Sequence, residues 1–501
     1  MSANLKSAAT IAPPRQKDLN ILFAISEADP LVKIGGLGDV GGALPLALSR
    51  IPPEQLGGVH LNIRLILPYH TPLKNNLLKT QWITNVKVPT AGSPVKAQVY
   101  QTSLGDLPVY LIDGAPVSDL SSVYGDDPVK MAEKFTFFSL ASLRFIRKLK
   151  WPVDVLHAHD WHAALFPYGI ETLFKVHPVF KNTLKIISIH NLPYLGEKSA
   201  KVLQHYLLPP STDENLPDWA RLLPFPLGLQ ASDRIIAVSP TYAREILTPE
   251  FGSGLEGFLK TRADQITGIL NGIDTSRWNP STDDSIARRF SVESIADRRY
   301  NRAALLAEFD LAEDPNIPLL TIIGRLDYQK GVDLALEALQ QIATQPWQLI
   351  ILGTGNSDLE KVCRDLQAKY PQKVRAVIRF DAALSRRLYA GADMLLMPSR
   401  YEPCGLAQMI AMRYGCIPIG RATGGLKDTI QDASSAVGTG FLFKEASAAS
   451  LLAALNIAFQ RFKDKATWLE MQKRGMKQDF SWEKSSYEYA KIYLNKGVGG
   501  R

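Results

Sequence analysis

Short runs of β-branched and aliphatic residues, each ending in polar or glycine punctuation, alternate along this chain with amphipathic stretches. That alternation is the pattern of parallel strands joined by crossover helices, and it predicts an α/β fold. Strands are expected over 19–26, 61–67, 154–157, 184–190 and 234–238, and a second series over 318–324, 347–353, 374–380, 393–398 and 416–419. Between the series, ITGILNGIDTSRWNP at 266–280 carries the turn-forming pairs Asn271-Gly272 and Asn279-Pro280, which sets the domain boundary near Ile266. Residues 19–265 then form one domain and 266–480 a second, preceded by a disordered tail at 1–18. Open α/β sheets bind ligands at the C-terminal ends of their strands, so the site belongs in the cleft between the domains.

Composition agrees with two domains, because 501 residues with 46% hydrophobic side chains exceed what one core organises. No apolar run approaches the roughly 20 residues that cross a bilayer, and the first eighteen residues lack the apolar segment of a signal peptide. Cys363, Cys404 and Cys416 have no paired spacing, which argues against a disulfide framework and for a reducing, cytoplasmic setting. The formal charge of +8 would suit a nucleic-acid binder, but its Lys and Arg residues are dispersed and no such motif is present. The same charge suits an enzyme that gathers phosphates. Neither nucleic acid nor membrane is expected as a partner, and the oligomeric state stays open.

After the first strand, SEADPLVKIGGLGDVGGALPLAL places Gly36, Gly38 and Gly41 in a formal GxGxxG. A dinucleotide fingerprint needs its glycines directly after the strand and an acid about 20 residues on. Here eight residues from Glu27 to Ile34 intervene, and Leu65, Ile66, Leu67 and Pro68 occupy the end of the second strand. The loop is therefore read as an anion site, where the Gly35 and Gly36 backbone and the following helix at 37–50 face phosphate and Lys33 adds a point charge. His157 and His159 would share one face of a continuing strand, yet no third metal ligand has supporting spacing.

KIGGLGDV at 33–40 resembles the lysine-glycine-glycine-leucine motif of bacterial glycogen synthases and plant starch synthases. HAHDWHAAL at 157–165, SIHNLPYLG at 188–196, AVSPTYAREI at 237–246, LNGID at 270–274, GRLDYQKG at 324–331, LLMPSRYEPCGLAQ at 395–408 and RATGGLKDT at 421–429 follow in that family's order. The resemblance covers 19–493. It implies a glycosyltransferase B fold, two Rossmann-like domains facing a cleft, with a last helix in 481–501 returning to the first domain. It also implies a retaining transfer of glucose from ADP-glucose to an α-1,4-glucan, in the cytoplasm or in a plastid, although the N-terminal tail looks too short for a transit peptide. No cofactor or metal is implied.

Such a transfer must neutralise a departing diphosphate and stabilise an oxocarbenium-like carbon. For the phosphates the resemblance assigns Arg325 and Lys330, beside the helix at 331–342, and the turn Thr423, Gly424 and Gly425. Glu402, after an apolar strand, is suited to sugar hydroxyls or the developing cation. The resemblance further assigns His190 to the donor glucose and Asp160, followed by Trp161 and His162, to the acceptor side. Phe380, Asn271 and Cys404 are assigned to adenine or sugar, with packing an additional task for Cys404, and Tyr124 and Trp161 are aromatic platforms for the acceptor. Two departures stand out: Arg379-Phe380 replaces the Gly-Tyr of many members, and Leu227 replaces a lysine before Gly228. The alternatives are a UDP-sugar transferase of the same fold and a non-catalytic glucan-binding or priming homologue. Loss of charge at Lys33, Arg325, Lys330 or Glu402 would mark the latter, and all four are present.

Overall fold

The computed structural model describes residues 18–75 and 78–495. Of the expected tail only Asp18 is described, and it opens the first strand; the end of the last segment, 496–501, also lies outside the described residues. The first sheet contains β1 (Asp18–Ala24), β2 (His60–Pro68), β3 (Gln81–Val88), β4 (Val95–Leu104), β5 (Leu107–Asp113), β6 (Val155–His159), β7 (Leu184–Ile189), β8 (Arg234–Ala237) and β9 (Ile266–Gly268). Their spatial order is β3-β4-β5-β2-β1-β6-β7-β8-β9. The second contains β10 (Leu319–Ile323), β11 (Gln348–Gly353), β12 (Val374–Ile378), β13 (Met394–Met397), β14 (Ile417–Arg421) and β15 (Phe441–Phe443), in the order β12-β11-β10-β13-β14-β15 and parallel throughout.

All ten expected strands are present, because all but the half-buried edge strand β12 are buried, largely aliphatic runs. The β3-β4-β5 meander, joined by antiparallel pairing, was not legible in the same way. Its strands alternate apolar residues such as Val86, Val88, Ala97 and Val99, which are buried, with exposed polar ones. Strand β9 pairs with β8, so the first sheet continues through Gly268, past the boundary expected at Ile266.

The helices include α1 (Gly36–Ser49), α2 (Pro128–Leu149), α3 (Leu165–Leu173), α4 (Pro240–Glu245), α5 (Val332–Gln341), α6 (Gly424–Thr429) and α7 (Trp482–Leu494). Helix α2 starts where the Asp127 carboxylate accepts from the Val129 and Lys130 amides, a side-chain N-cap. Helix α7 comes after the second domain but packs on the first, where Trp482, Tyr489 and Tyr493 share a core with Val40, Leu44 and Leu48 of α1 and with Phe23 of β1. Among the parallel strands of each sheet the order reverses direction at one place, between β1 and β6 and between β10 and β13. These are the switch points, where loops from neighbouring strands diverge and leave a crevice.

Candidate active site

Every principal candidate leaves a strand at or next to a switch point. In the first domain the chain emerges from β1 into Glu27, whose buried carboxylate accepts from the Ile34 amide (2.5 Å), the Gly35 amide (3.0 Å) and the Tyr124 hydroxyl (2.5 Å). Burial raises its pKa against the opposing pull of these donors. The Gly35 amide, expected to meet phosphate, thus already binds an internal carboxylate. Gly41 and Gly42 serve packing: a Cβ on either would lie 2.0 Å from the Glu27 carbonyl oxygen or 2.1 Å from that of Asp29. Gly36 differs, since its Cβ would meet only Leu406 of the second domain, at 3.7 Å. The glycine loop and the Glu402 loop therefore face each other across the cleft. Lys33 lies on the same side, with its ammonium 2.5 Å from Asp39 and 3.5 Å from Asp29, which also pairs with Arg277.

Strands β6 and β7 carry the next group. Asp160, at φ +55°, accepts from the His190 and Asn191 amides at 2.7 and 3.2 Å, holding the two strand ends together. Burial raises its pKa to about 7 despite those two donors. His190 is lowered to about 3 by burial, so its ring is neutral. Its Nε2 sits 2.9 Å from Nδ1 of His159. The structure thus adds a third histidine to the His157/His159 pair, but both His157 nitrogens are taken by Tyr493 and Ser188 at 2.7 Å, and His159 Nε2 is buried with no hydrogen-bond partner among the described residues. Among the described residues no group of three or more His, Cys, Asp or Glu side chains is arranged to hold a metal ion. Trp161 and Tyr124 are both partly buried, and their rings pack with Phe135 and His162.

In the second domain Arg325 follows β10, is 58% exposed, and bonds Asp327 (2.8 Å) and Gln329 (3.2 Å). Lys330 bonds both oxygens of Glu402, at 2.9 and 2.7 Å, and Ser399 donates to the same carboxylate at 3.0 Å. The turn at Thr423, Gly424 and Gly425 corrects the expectation of open phosphate donors. The Gly424 amide and the Thr423 hydroxyl bond the Glu245 carboxylate from α4, at 3.1 and 2.9 Å, while the Gly425 amide bonds the Glu402 carbonyl at 3.1 Å. Both glycines are there for close approach, since a Cβ would lie 1.9 Å from the carbonyl oxygen of Glu402 or Cys404. Cys404 and Asn271 are buried together, with the Asn271 backbone bonded to the thiol and burial raising the thiol pKa to about 12. They form the floor beneath the Glu402 loop. Phe380 is 85% exposed just beyond edge strand β12, next to an Arg379–Asp381 ion pair, with its ring open to a planar ligand. Leu227 is fully buried, so the second departure is a core position.

Sequence reasoning missed Glu27, Asp29, Glu245 and Arg277. The three acids had a usable signal, since Glu27 and Asp29 lie in SEADP and Glu245 in AREI, stretches already noted.

Two parallel-sheet domains with cations, acids and glycine turns gathered at facing switch points define a two-domain glycosyltransferase with the glycosyltransferase B fold. The starch synthase catalytic domain family matches residues 20–261, and the group 1 glycosyltransferases match 306–472. The chain is 38% identical to the glycogen synthase of Clostridium perfringens, over 95% of this chain and 98% of that one. It is 37% identical to that of Bacillus cereus strain Q1, over 95% and 99%. The solved catalytic domain of starch synthase IV from Arabidopsis thaliana, bound to ADP and acarbose, superposes with a TM-score of 0.86 at 30% identity, covering 95% of this chain and 99% of that one. A sucrose-phosphate synthase from Thermosynechococcus elongatus, at 18% identity and a TM-score of 0.60, shares the fold. The chain belongs to the glycogen and starch synthase family. Both glycogen synthase relatives are bacterial, and the plastid setting is not borne out. No helix among the described residues is long and apolar enough to cross a membrane.

Proposed function

We propose that this chain transfers glucose from ADP-glucose to the end of an α-1,4-glucan in the cytoplasm, with retention at the anomeric carbon and without a metal ion. The observation that supports this most is the approach of the Lys33 loop to the Glu402 loop across one cleft, marked by Gly36 beside Leu406. Lys33, Arg325 and Lys330 bring cationic side chains to the departing diphosphate, exchanging part of their contacts with Asp39, Asp327 and Glu402 for phosphate oxygens. As the C1–O bond to phosphate breaks, the acceptor hydroxyl adds from the same face and its proton passes to the departing phosphate oxygen. Glu402, held by Lys330 and Ser399, keeps a carboxylate directed at the donor side. Asp160 and His190 line the first-domain wall, and Tyr124 and Trp161 offer ring edges to the glucan. The ADP and acarbose in the starch synthase IV structure fit the same two roles, donor nucleotide and glucan mimic.

Initial rates with ADP-glucose and UDP-glucose on glycogen test the donor. ADP release well above UDP release is expected; the reverse order would replace the donor, and no nucleotide release would favour a non-catalytic glucan binder. Because Lys330 and Glu402 form a largely buried ion pair, alanine at either position leaves an unpaired charge that costs about 3–5 kcal/mol. Glu402→Gln leaves the same Lys330 charge uncompensated but keeps a carbonyl oxygen to accept from it, so it is the milder variant: turnover is expected to fall at least about 100-fold, the magnitude of a lost transition-state contact, with a melting curve checking that the chain is still folded at the assay temperature. Full turnover would remove Glu402 from the site.

A further inference from the structure

Helix α2 starts four residues after Tyr124, near the cleft, and its 22 residues extend about 33 Å away from it. Its last turns carry Arg144, Arg147 and Lys148, spaced three and four apart and so on one face. Edge strand β3 opposes them with Asn85, Val86 and Lys87, and these six residues line a cavity of about 450 Å³. The cations are held in place. Arg144 and Arg147 lie against the same Phe174 ring, 5.8 and 5.7 Å from its centroid, and Lys148 donates to the Thr84 hydroxyl at 2.8 Å and the Asn85 carbonyl at 3.1 Å.

Among the described residues none of the four cations pairs with a carboxylate. Neither β3 nor the second half of α2 contains an acid, and Glu171 of α3 is already bonded to Lys175 and Lys185. Burial, and after it the charge of Arg147, lowers the pKa of Arg144. Like charges at this spacing are unfavourable. The negative end of the α2 dipole favours a cation in its last turn, which accounts for Arg147 or Lys148 but not for Lys87 on another element.

We propose that this cavity binds a phosphate monoester or free phosphate dianion, at a site separate from the cleft. Two guanidinium forks match tetrahedral oxyanions, the two ammonium groups complete the neutralisation, and the concave shape suits a small anion better than an extended polymer.

Isothermal titration of the whole chain at low ionic strength, with the cleft occupied by excess ADP-glucose, which has no terminal phosphate dianion, and no acceptor present, tests the site with inorganic phosphate and with glycerol 3-phosphate. One anion per chain is expected, weakened about tenfold or more in Arg147→Gln/Lys148→Gln and further by added salt. Both substituted residues are exposed, so the double variant keeps its fold, which its melting curve checks. Tighter binding of the ester identifies a phosphorylated metabolite, and tighter binding of inorganic phosphate identifies the free ion. Absence of binding, or equal binding in the double variant, overturns the proposal. Binding in the cleft would be insensitive to that variant, so a failure of the proposed donor site is distinguishable from a failure here.

Discussion

Asp160 shows how burial and function pull one carboxyl in opposite directions. Its two backbone donors favour the charged form, yet loss of water prevails and the pKa reaches about 7. Linkage sets the sign of the consequence. A carboxyl that ionises less readily in the fold than in the unfolded chain destabilises the fold progressively as pH rises from its ordinary 3.8 to about 7, with no further change above. Asp160→Asn can still accept both amides and carries no charge. Its melting temperature relative to the parent is therefore expected to rise across that window and level off above it; a pH-independent difference would refute the assignment. Activity is expected to fall across the whole range.

The glycine loop and helix α1 form a unit in which similar residues do different jobs. Gly41 and Gly42 let the helix touch the Glu27 and Asp29 carbonyls, whereas Gly36 faces only Leu406 across the gap. Gly41→Ala must push α1 away from β1 and is expected to cost about 2–4 kcal/mol, read from urea denaturation. Gly36→Ala should change stability by less than about 0.5 kcal/mol while reducing turnover, because its methyl group enters the cleft. Equal losses of stability in the two variants would contradict this division. The GxGxxG spacing marked the loop but could not separate packing from recognition, since that depends on what lies opposite each Cα. The same holds for Gly424 and Gly425.

Across the molecule the two domains are joined by more than chain continuity. Ser239 donates to the Pro403 carbonyl, Thr241 bonds Asp428 through its hydroxyl and amide, and Glu245 holds the Gly424 turn. Helix α7 returns from the second domain to place the Tyr493 hydroxyl on His157, deep in the first. Tyr493→Phe leaves that buried imidazole nitrogen without a partner, and a loss of about 1–3 kcal/mol is expected by thermal or denaturant unfolding. An unchanged midpoint would show that the helix is held by its apolar face alone.

The one-dimensional pattern determined the ten central strands, the two-domain plan and the order of the motifs, because aliphatic runs buried on both faces leave the same mark wherever they occur. It also placed Asp160, His190, Arg325, Lys330 and Glu402 at or just after strand ends, where an open sheet exposes its loops, and Lys33 in the loop ahead of the glycines. Only the tertiary structure decided which groups meet: Glu27 with the Gly35 amide, Glu245 with Gly424, Lys330 with Glu402 and His159 with His190. These partners lie from 8 to 179 residues apart, and burial and hydrogen bonding act through space, so local periodicity contains no record of them.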